Sequence, residues 1–215
     1  MKFENTKVMN WDGAFRGMRN PLNSWDKSDS EIEKHYEYQL DLGEKDLELA
    51  KRLIRAGRDH RKFLRQIIVC VDITAPLYWW KEFDTYKVGT VSNSCSTMHT
   101  ITNKKIEISD FTINNFTIED DYDEISLEDM FINVVADCEM LRQKYLKTKN
   151  KKYWRGLIQL LPSSYNQKRT VTLNYEVLYN IRHSQRNTHK LDEWRIEFIN
   201  WIDSLPYAEE LLKIS

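Results

Sequence analysis

The sequence predicts an α+β chain, and three observations carry that prediction. Gln66 to Ile73, QIIVCVDI, is β-branched and almost wholly apolar, the composition of a buried strand. Lys168 to Leu173, KRTVTL, alternates like a second strand. Between and around these runs, apolar residues recur at three- and four-residue steps, the spacing of amphipathic helices.

The totals set limits. A chain of 215 residues that is 41% hydrophobic suits one domain with a substantial core. Basic residues number 32 and acidic ones 33, a balance that argues against broad electrostatic binding to nucleic acid. A local basic cluster would still hold one phosphate. Cys70, Cys95 and Cys138 are widely spaced and form no CxxC, which reads as reduced thiols. No apolar run approaches the ~20 residues of a membrane span. The N-terminal residues lack the apolar core of a signal peptide, so the expected setting is cytoplasmic.

Taken in order, Arg16 to Trp25 reads as a loop from its Gly, Asn and Pro content, with Arg16 and Arg19 as candidate phosphate or base contacts. Ser28, Asp29 and Ser30 offer helix caps. Glu44 to Ala56 reads as a helix, acidic early and basic late, with Gly57 as its C-terminal cap. His60 falls on the basic turn that follows. Pro76 ends the apolar strand, and Leu77 to Phe83 reads as a short aromatic helix. The polar run to Ser96 reads as a loop or second helix. Lys104 to Ile118 suggests a lid or hairpin. Ser126 to Leu146 is the clearest helix, opened by Ser126 with Asp129, and Met130, Val134, Cys138, Leu141 and Tyr145 mark its apolar face. Tyr153 to Leu161 is a further helix. Asn174 caps one carrying Val177, Leu178 and Ile181. Lys190 to Leu205 is read as the last long helix, burying Leu191, Trp194, Phe198, Trp201 and Ile202.

Several chemistries lack their residues. His183 and His189 are not one helical turn apart, and no HExxH or Cys/His pairing marks a metal site. There is no Gly-rich phosphate loop and no GxSxG elbow. What remains is RHSQRNTH, Arg182 to His189. On a continuous helix, Arg182, Arg186 and His189 would share a face suited to a bidentate grip on phosphate, with the Gln185 amide beside them for a base edge. Glu176 and Asp192 are nearby in sequence and would compete for these arginines as ion pairs.

Two stretches together resemble the flavin-dependent thymidylate synthase family. That family has an apolar strand, Ala-Pro, an aromatic segment and the signature Arg-His-Arg-x-x-Ser-x-Asn-Glu-x-Ser-x-Arg. Ala75-Pro76 match the Ala-Pro, and the signature then falls on Thr85 to Thr97. Lys87 stands for the second Arg and Thr90 for the first Ser, while Ser92 and Asn93 occupy the Asn-Glu positions. The first Arg and the His become Thr85 and Tyr86, so the form is degenerate. Near the C-terminus, Leu161-Pro162, Asn174, Leu178, His189 and Glu193 follow the family's order and spacing. Gln185 falls on its Leu-Arg arginine, with Arg186 one place later. Gly57 and His60 resemble its Gly-His turn, and the following Glu-His becomes Arg65-Gln66.

The resemblance spans Glu44 to Leu205 and makes residues 1–43 a divergent N-terminal segment of a single domain, 1–215. It implies an antiparallel sheet flanked by helices, assembled as a homotetramer. It implies FAD contacts at Lys87, Thr90, Ser92, Asn93 and His60. Contacts to a dUMP-like pyrimidine nucleotide are implied at Arg182, Gln185, Arg186 and His189. It names no metal. Two functions follow as expectations: a flavin-dependent methyltransferase of nucleotide biosynthesis, or an inactive nucleotide-binding or interaction protein on the same scaffold. Trp79 and Trp80 point about 100° apart on a helix, so one is expected inside and the other across a subunit contact.

Overall fold

A computed structural model describes residues 1–32, 40–114 and 127–214. In chain order, β1 is Lys2–Met9, α1 Trp11–Arg19, β2 Glu31–Ile32, β3 Leu40–Asp41 and α2 Glu44–Arg55. Then come β4 Ile68–Pro76, α3 Leu77–Phe83, β5 Val91–Ser94 and α4 Thr97–Thr100. The helical pair α5 Leu127–Thr148 and α6 Lys151–Leu160 precedes β6 Asn166–Asn174. The last helices are α7 Tyr175–Arg182, α8 Ile199–Asp203 and α9 Ala208–Leu211. The fold is α+β, an antiparallel sheet in the order β1-β4-β6-β5 flanked by helices, beside a small β2-β3 pair.

The central strands are where the sequence placed them. Val69, Val71 and Ile73 of β4 are fully buried, as their β-branched run demands. The Asn174 side chain caps α7 by accepting from the Val177 N–H at 3.0 Å. Gly57 ends α2 with φ +98°, a conformation that glycine adopts without a Cβ clash.

The described residues form two compact units. The first comprises Met1–Ile73, Thr85–Ser92 and Thr170–Ser215. Its core is aromatic: Trp11 meets Tyr175 edge-on at 5.3 Å, and Phe15 meets Phe63 at 6.0 Å. Its charged anchor is Asp46 on α2, fully buried, which takes hydrogen bonds from Arg19 Nε, Ser28 Oγ and Ser30 Oγ, each at 2.6 Å. Asp29 accepts from the Lys45 and Asp46 N–H groups at the start of the same helix. Of the residues that read as caps, Asp29 thus caps α2 and the two serines anchor it through Asp46.

The second unit comprises Thr74–Asp84 and Asn93–Arg169. Its core joins Ile101, Ile106, Phe111, Phe131, Val135, Cys138 and Leu157. Cys138 is the core thiol its position implied, and burial pushes its pKa up to about 11. Glu139, one residue on, clamps the loop before it: it accepts from the Ile106 N–H at 2.9 Å and from Arg142 Nε at 2.7 Å. The Arg142 hydrogen bond outweighs burial and, with Ile106 and Gln143, holds the Glu139 carboxyl at about 2, against an ordinary 4.5. A depressed folded-state pKa adds stability above the ordinary value that is lost as pH falls through the folded one. Helical circular dichroism in urea should therefore show stability falling between pH 4.5 and 2 in wild type, and a shallower fall in Glu139→Gln.

Several expectations give way to the structure. Arg16 to Arg19 complete α1 instead of opening a loop, because Phe15 and Met18 on that helix have a core to enter. Arg19 is no ligand contact, being committed to Asp46. The run to Ser96 contains a strand, β5, which takes the sheet edge beside β6. The buried apolar positions of α5 are Phe131, Val135 and Cys138, while Met130 is 54% exposed. Phe131 wins because Phe111 offers it an edge-on ring at 5.3 Å. The Ser126 cap lies outside the described residues. Ile108–Asp110 form one 3₁₀ turn and Phe111 bridges Tyr165, while the rest of the expected lid, from residue 115 on, lies outside them too. The final helix is split: Glu193–Phe198 is π-helical and α8 follows.

Trp79 and Trp80 are 0% and 1% exposed, so neither faces outward. Trp79 stacks on Phe83 at 4.9 Å, while Trp80 donates from Nε1 to the Gln167 carbonyl at 2.9 Å and lies under the Arg169 guanidinium. A short helix covered on both faces needs no subunit contact to bury them. The subunit contact expected of one of these tryptophans is therefore overturned.

Candidate anion site and the signature loop

The first unit contains a cavity of about 1250 Å³. One wall is α2, which presents Lys45, Leu49, Arg52, Leu53 and Ala56 to it at helical spacing. The helix is therefore amphipathic twice: Asp46, Ala50 and Ile54 enter the core, and the next stripe faces the cavity. Met18, Pro21 and Leu22 supply apolar surface at the end of α1, and His60, Lys62 and Phe63 come from the turn after α2.

The charges converge. Lys27, Lys45, Arg52 and Lys62 line this cavity, and among the described residues none of them is in an ion pair. Glu48 and Asp59 are the acids on the lining. Arg65 also lines it but is spent on Glu176, which likewise draws Arg61 to 3.7 Å. Unpaired cations over an aliphatic floor suit an anion with an apolar or ring-bearing body. Of the residues that the family resemblance marked for the cofactor, His60 lines this cavity, while Lys87, Thr90, Ser92 and Asn93 do not.

The signature-like loop has its own geometry. Lys87 is exposed, Thr90 and Ser92 are half-buried, and Asn93 is an exposed residue of β5. The Thr90 hydroxyl is buried with no hydrogen-bond partner among the described residues. Gly89 sits at φ +74°, and a Cβ there would lie 2.9 Å from Asn174 Nδ2 and 3.2 Å from Val177 Cγ2. That close approach explains the one glycine of the stretch. Gly89→Ala should cost about 1–2 kcal/mol from the left-handed backbone alone, read as a lower urea midpoint.

The shared helical face of Arg182, Arg186 and His189 does not form. Helix α7 stops at Arg182, and Gln185–Thr188 make a separate 3₁₀ turn capped by Ser184. Arg182 binds Asp203 at 2.6 Å, and Lys213 approaches the same carboxylate at 3.5 Å. Neither expected competitor takes the arginines: Glu176 holds Arg65, and Asp192 holds Arg195. Arg186 instead lies 4.3 Å over the Trp194 ring and donates from Nε to the Tyr86 hydroxyl at 3.0 Å. Gln185 is exposed, and His189 packs 6.4 Å from Trp194 while its Nδ1 accepts from the Leu191 N–H. The structure does bring the loop and the C-terminal segment together, through the Tyr86–Arg186 contact.

Solved structures decide the scaffold. The fold is that of a flavin-dependent thymidylate synthase. A structure of that enzyme, ThyX, from Helicobacter pylori, complexed with FAD and dUMP, aligns with a TM-score of 0.68 at 19% identity, over 99% of this chain and 98% of that one. A second Helicobacter pylori ThyX structure with FAD and dUMP gives 0.68 at 17% identity, with the same coverage. No protein-family model matches the sequence, and no curated protein matches it. On the ThyX fold, the α2 cations are the feature that sequence reasoning missed. Their signal was present as the second stripe Lys45, Leu49, Arg52 and Ala56, but the basic end of α2 was fully accounted for by the helix dipole.

Proposed function

We propose that this chain is a thymidylate synthase-like nucleotide protein that holds a flavin nucleotide and a dUMP-like pyrimidine deoxynucleotide. The observation that carries the reading is the set of cations Lys27, Lys45, Arg52 and Lys62 around one cavity, in no ion pair among the described residues, on a fold like that of structures complexed with FAD and dUMP. The cavity has the size and charge for a phosphate-bearing cofactor, with His60 at its lining. Bound flavin would supply hydride chemistry; the chain's part is to bind and orient it. Lys87, Thr90 and Ser92 lie outside that lining and are proposed as further cofactor contacts because the family resemblance marks them, Thr90 with a buried hydroxyl that has no partner among the described residues. Gln185 and Arg186, with His189, are proposed on the nucleotide side, where Tyr86 and Trp194 hold the arginine in place. Arg182 stands outside this set, because Asp203 takes its guanidinium. Assembly as a homotetramer, which the family resemblance implies, is part of the proposal, and sedimentation of the purified protein tests it.

The absorption spectrum of the purified protein tests the cofactor. Visible flavin absorption, with FAD released on denaturation, is expected. A colourless protein that also fails to take up added FAD removes the flavin part of the reading. Titration calorimetry with deoxyuridylate and its uncharged nucleoside tests the substrate, and equal affinity for both would show that no phosphate is recognised. A second reading, binding without turnover, is favoured by one observation: Thr85 and Tyr86 replace the signature Arg-His, and the Tyr86 hydroxyl is occupied by Arg186. Flavin bleaching by a reduced nicotinamide, followed by thymidylate formation from deoxyuridylate and methylene-folate, would decide for the enzyme.

A further inference from the structure

We propose that the tip of the α5–α6 hairpin binds single-stranded nucleic acid. The surface belongs to the second unit and uses none of the residues of the nucleotide reading. From Met140 to Tyr175 the sequence has no Asp or Glu, yet it carries Lys144, Lys147, Lys149, Lys151, Lys152 and Arg155. All six are exposed, and none makes an ion pair among the described residues. The near-zero net charge of the chain conceals this segregation. Unpaired cations packed on one surface repel one another, and a polyanion relieves that repulsion while releasing its counterions.

The tip is also preformed. Lys149 closes α5 in the left-handed conformation, φ 55°, and Asn150 caps α6 by accepting from the Lys152 N–H at 3.0 Å. Glycine is the residue that adopts the left-handed backbone without cost, and this chain places a cation there instead. Aromatic rings are interleaved with the charge. Tyr145, Tyr153 and Trp154 are half-buried at the same end, and Lys144 Nζ lies 5.8 Å from the Tyr153 ring centroid. Cations that follow a phosphate backbone, with rings on which bases stack, are the requirements of single-strand binding. An anionic membrane fits less well, because residues 147–152 are Lys, Thr, Lys, Asn, Lys and Lys, with no bulky apolar side chain to insert.

The test is fluorescence anisotropy of the full chain with labelled oligo(dT) of about 15 nucleotides, across a salt series. Affinity should fall with salt at a slope of about −0.7 per phosphate neutralised. The triple variant Lys147→Glu/Lys151→Glu/Arg155→Glu should bind at least tenfold more weakly and flatten that slope by about two. Its circular dichroism and melting should match wild type, since the three side chains are exposed and unpaired. If charge reversal disturbs folding, the neutral variant Lys147→Gln/Lys151→Gln gives the same comparison. Stacking should quench tryptophan emission in wild type and not in Trp154→Phe. Wild-type binding no tighter to oligo(dT) than to polyglutamate, preference for phosphatidylserine vesicles, or unchanged affinity in the variants would each overturn the proposal.

Discussion

Replacing Asp46 with alanine will destabilise the first unit by about 3–5 kcal/mol, the cost of stranding a buried charge. Arg19 is 4% exposed, and without Asp46 its guanidinium keeps, among the described residues, only the bond from Nη1 to the Ser24 carbonyl at 3.3 Å. The Ser28 and Ser30 hydroxyls lose their acceptor as well. Burial alone would raise the Asp46 pKa, but the two serine hydroxyls and Arg19 hold the carboxyl below its ordinary value. The sign follows: the depressed folded-state pKa contributes stability above the ordinary 3.8 and withdraws it as pH falls further. Urea titration at neutral pH measures the effect. Asp46→Asn should recover part of it, since an amide oxygen still accepts two hydrogen bonds. A loss under about 1 kcal/mol for Asp46→Ala would place this site among ordinary surface pairs and contradict its burial.

The second large effect is on binding. Lys45→Glu/Arg52→Glu should weaken affinity for a phosphate-bearing ligand by a hundredfold or more, since each charged hydrogen bond lost is worth about 1.5–3 kcal/mol. Both side chains are exposed on the cavity wall of α2 and outside its core stripe, so thermal stability should change little. Calorimetry with FAD and with deoxyuridylate separates the two ligands. Unchanged affinity for both would move the anion site away from the α2 wall. Loss for FAD alone would make this cavity the cofactor side of the site.

Local pattern and local chemistry were enough for much of the fold. The strand ending at Pro76, the helix Leu77–Phe83, the Asn174 cap and the Gly57 terminus follow from rules that act within a few residues, and all four are in the structure. The scaffold was legible through the family resemblance carried by Ala75-Pro76 and by the residues from Asn174 to Glu193. Partner choice was not legible, because it joins residues far apart in the chain. Nothing near Arg182 announces Asp203, and nothing near Asp46 announces Arg19. The continuous helix that would have aligned Arg182 with Arg186 is interrupted at His183 and Ser184, where tertiary packing sends Arg186 onto Trp194. Trp79 and Trp80 were expected to part company by helix geometry, but α3 is covered on both faces and buries the two together. Sequence determines which faces are apolar and where elements start and stop, because those are short-range energies. Only the tertiary structure decides which charge meets which, and so leaves the α2 cations around a cavity with no ion-pair partner among the described residues.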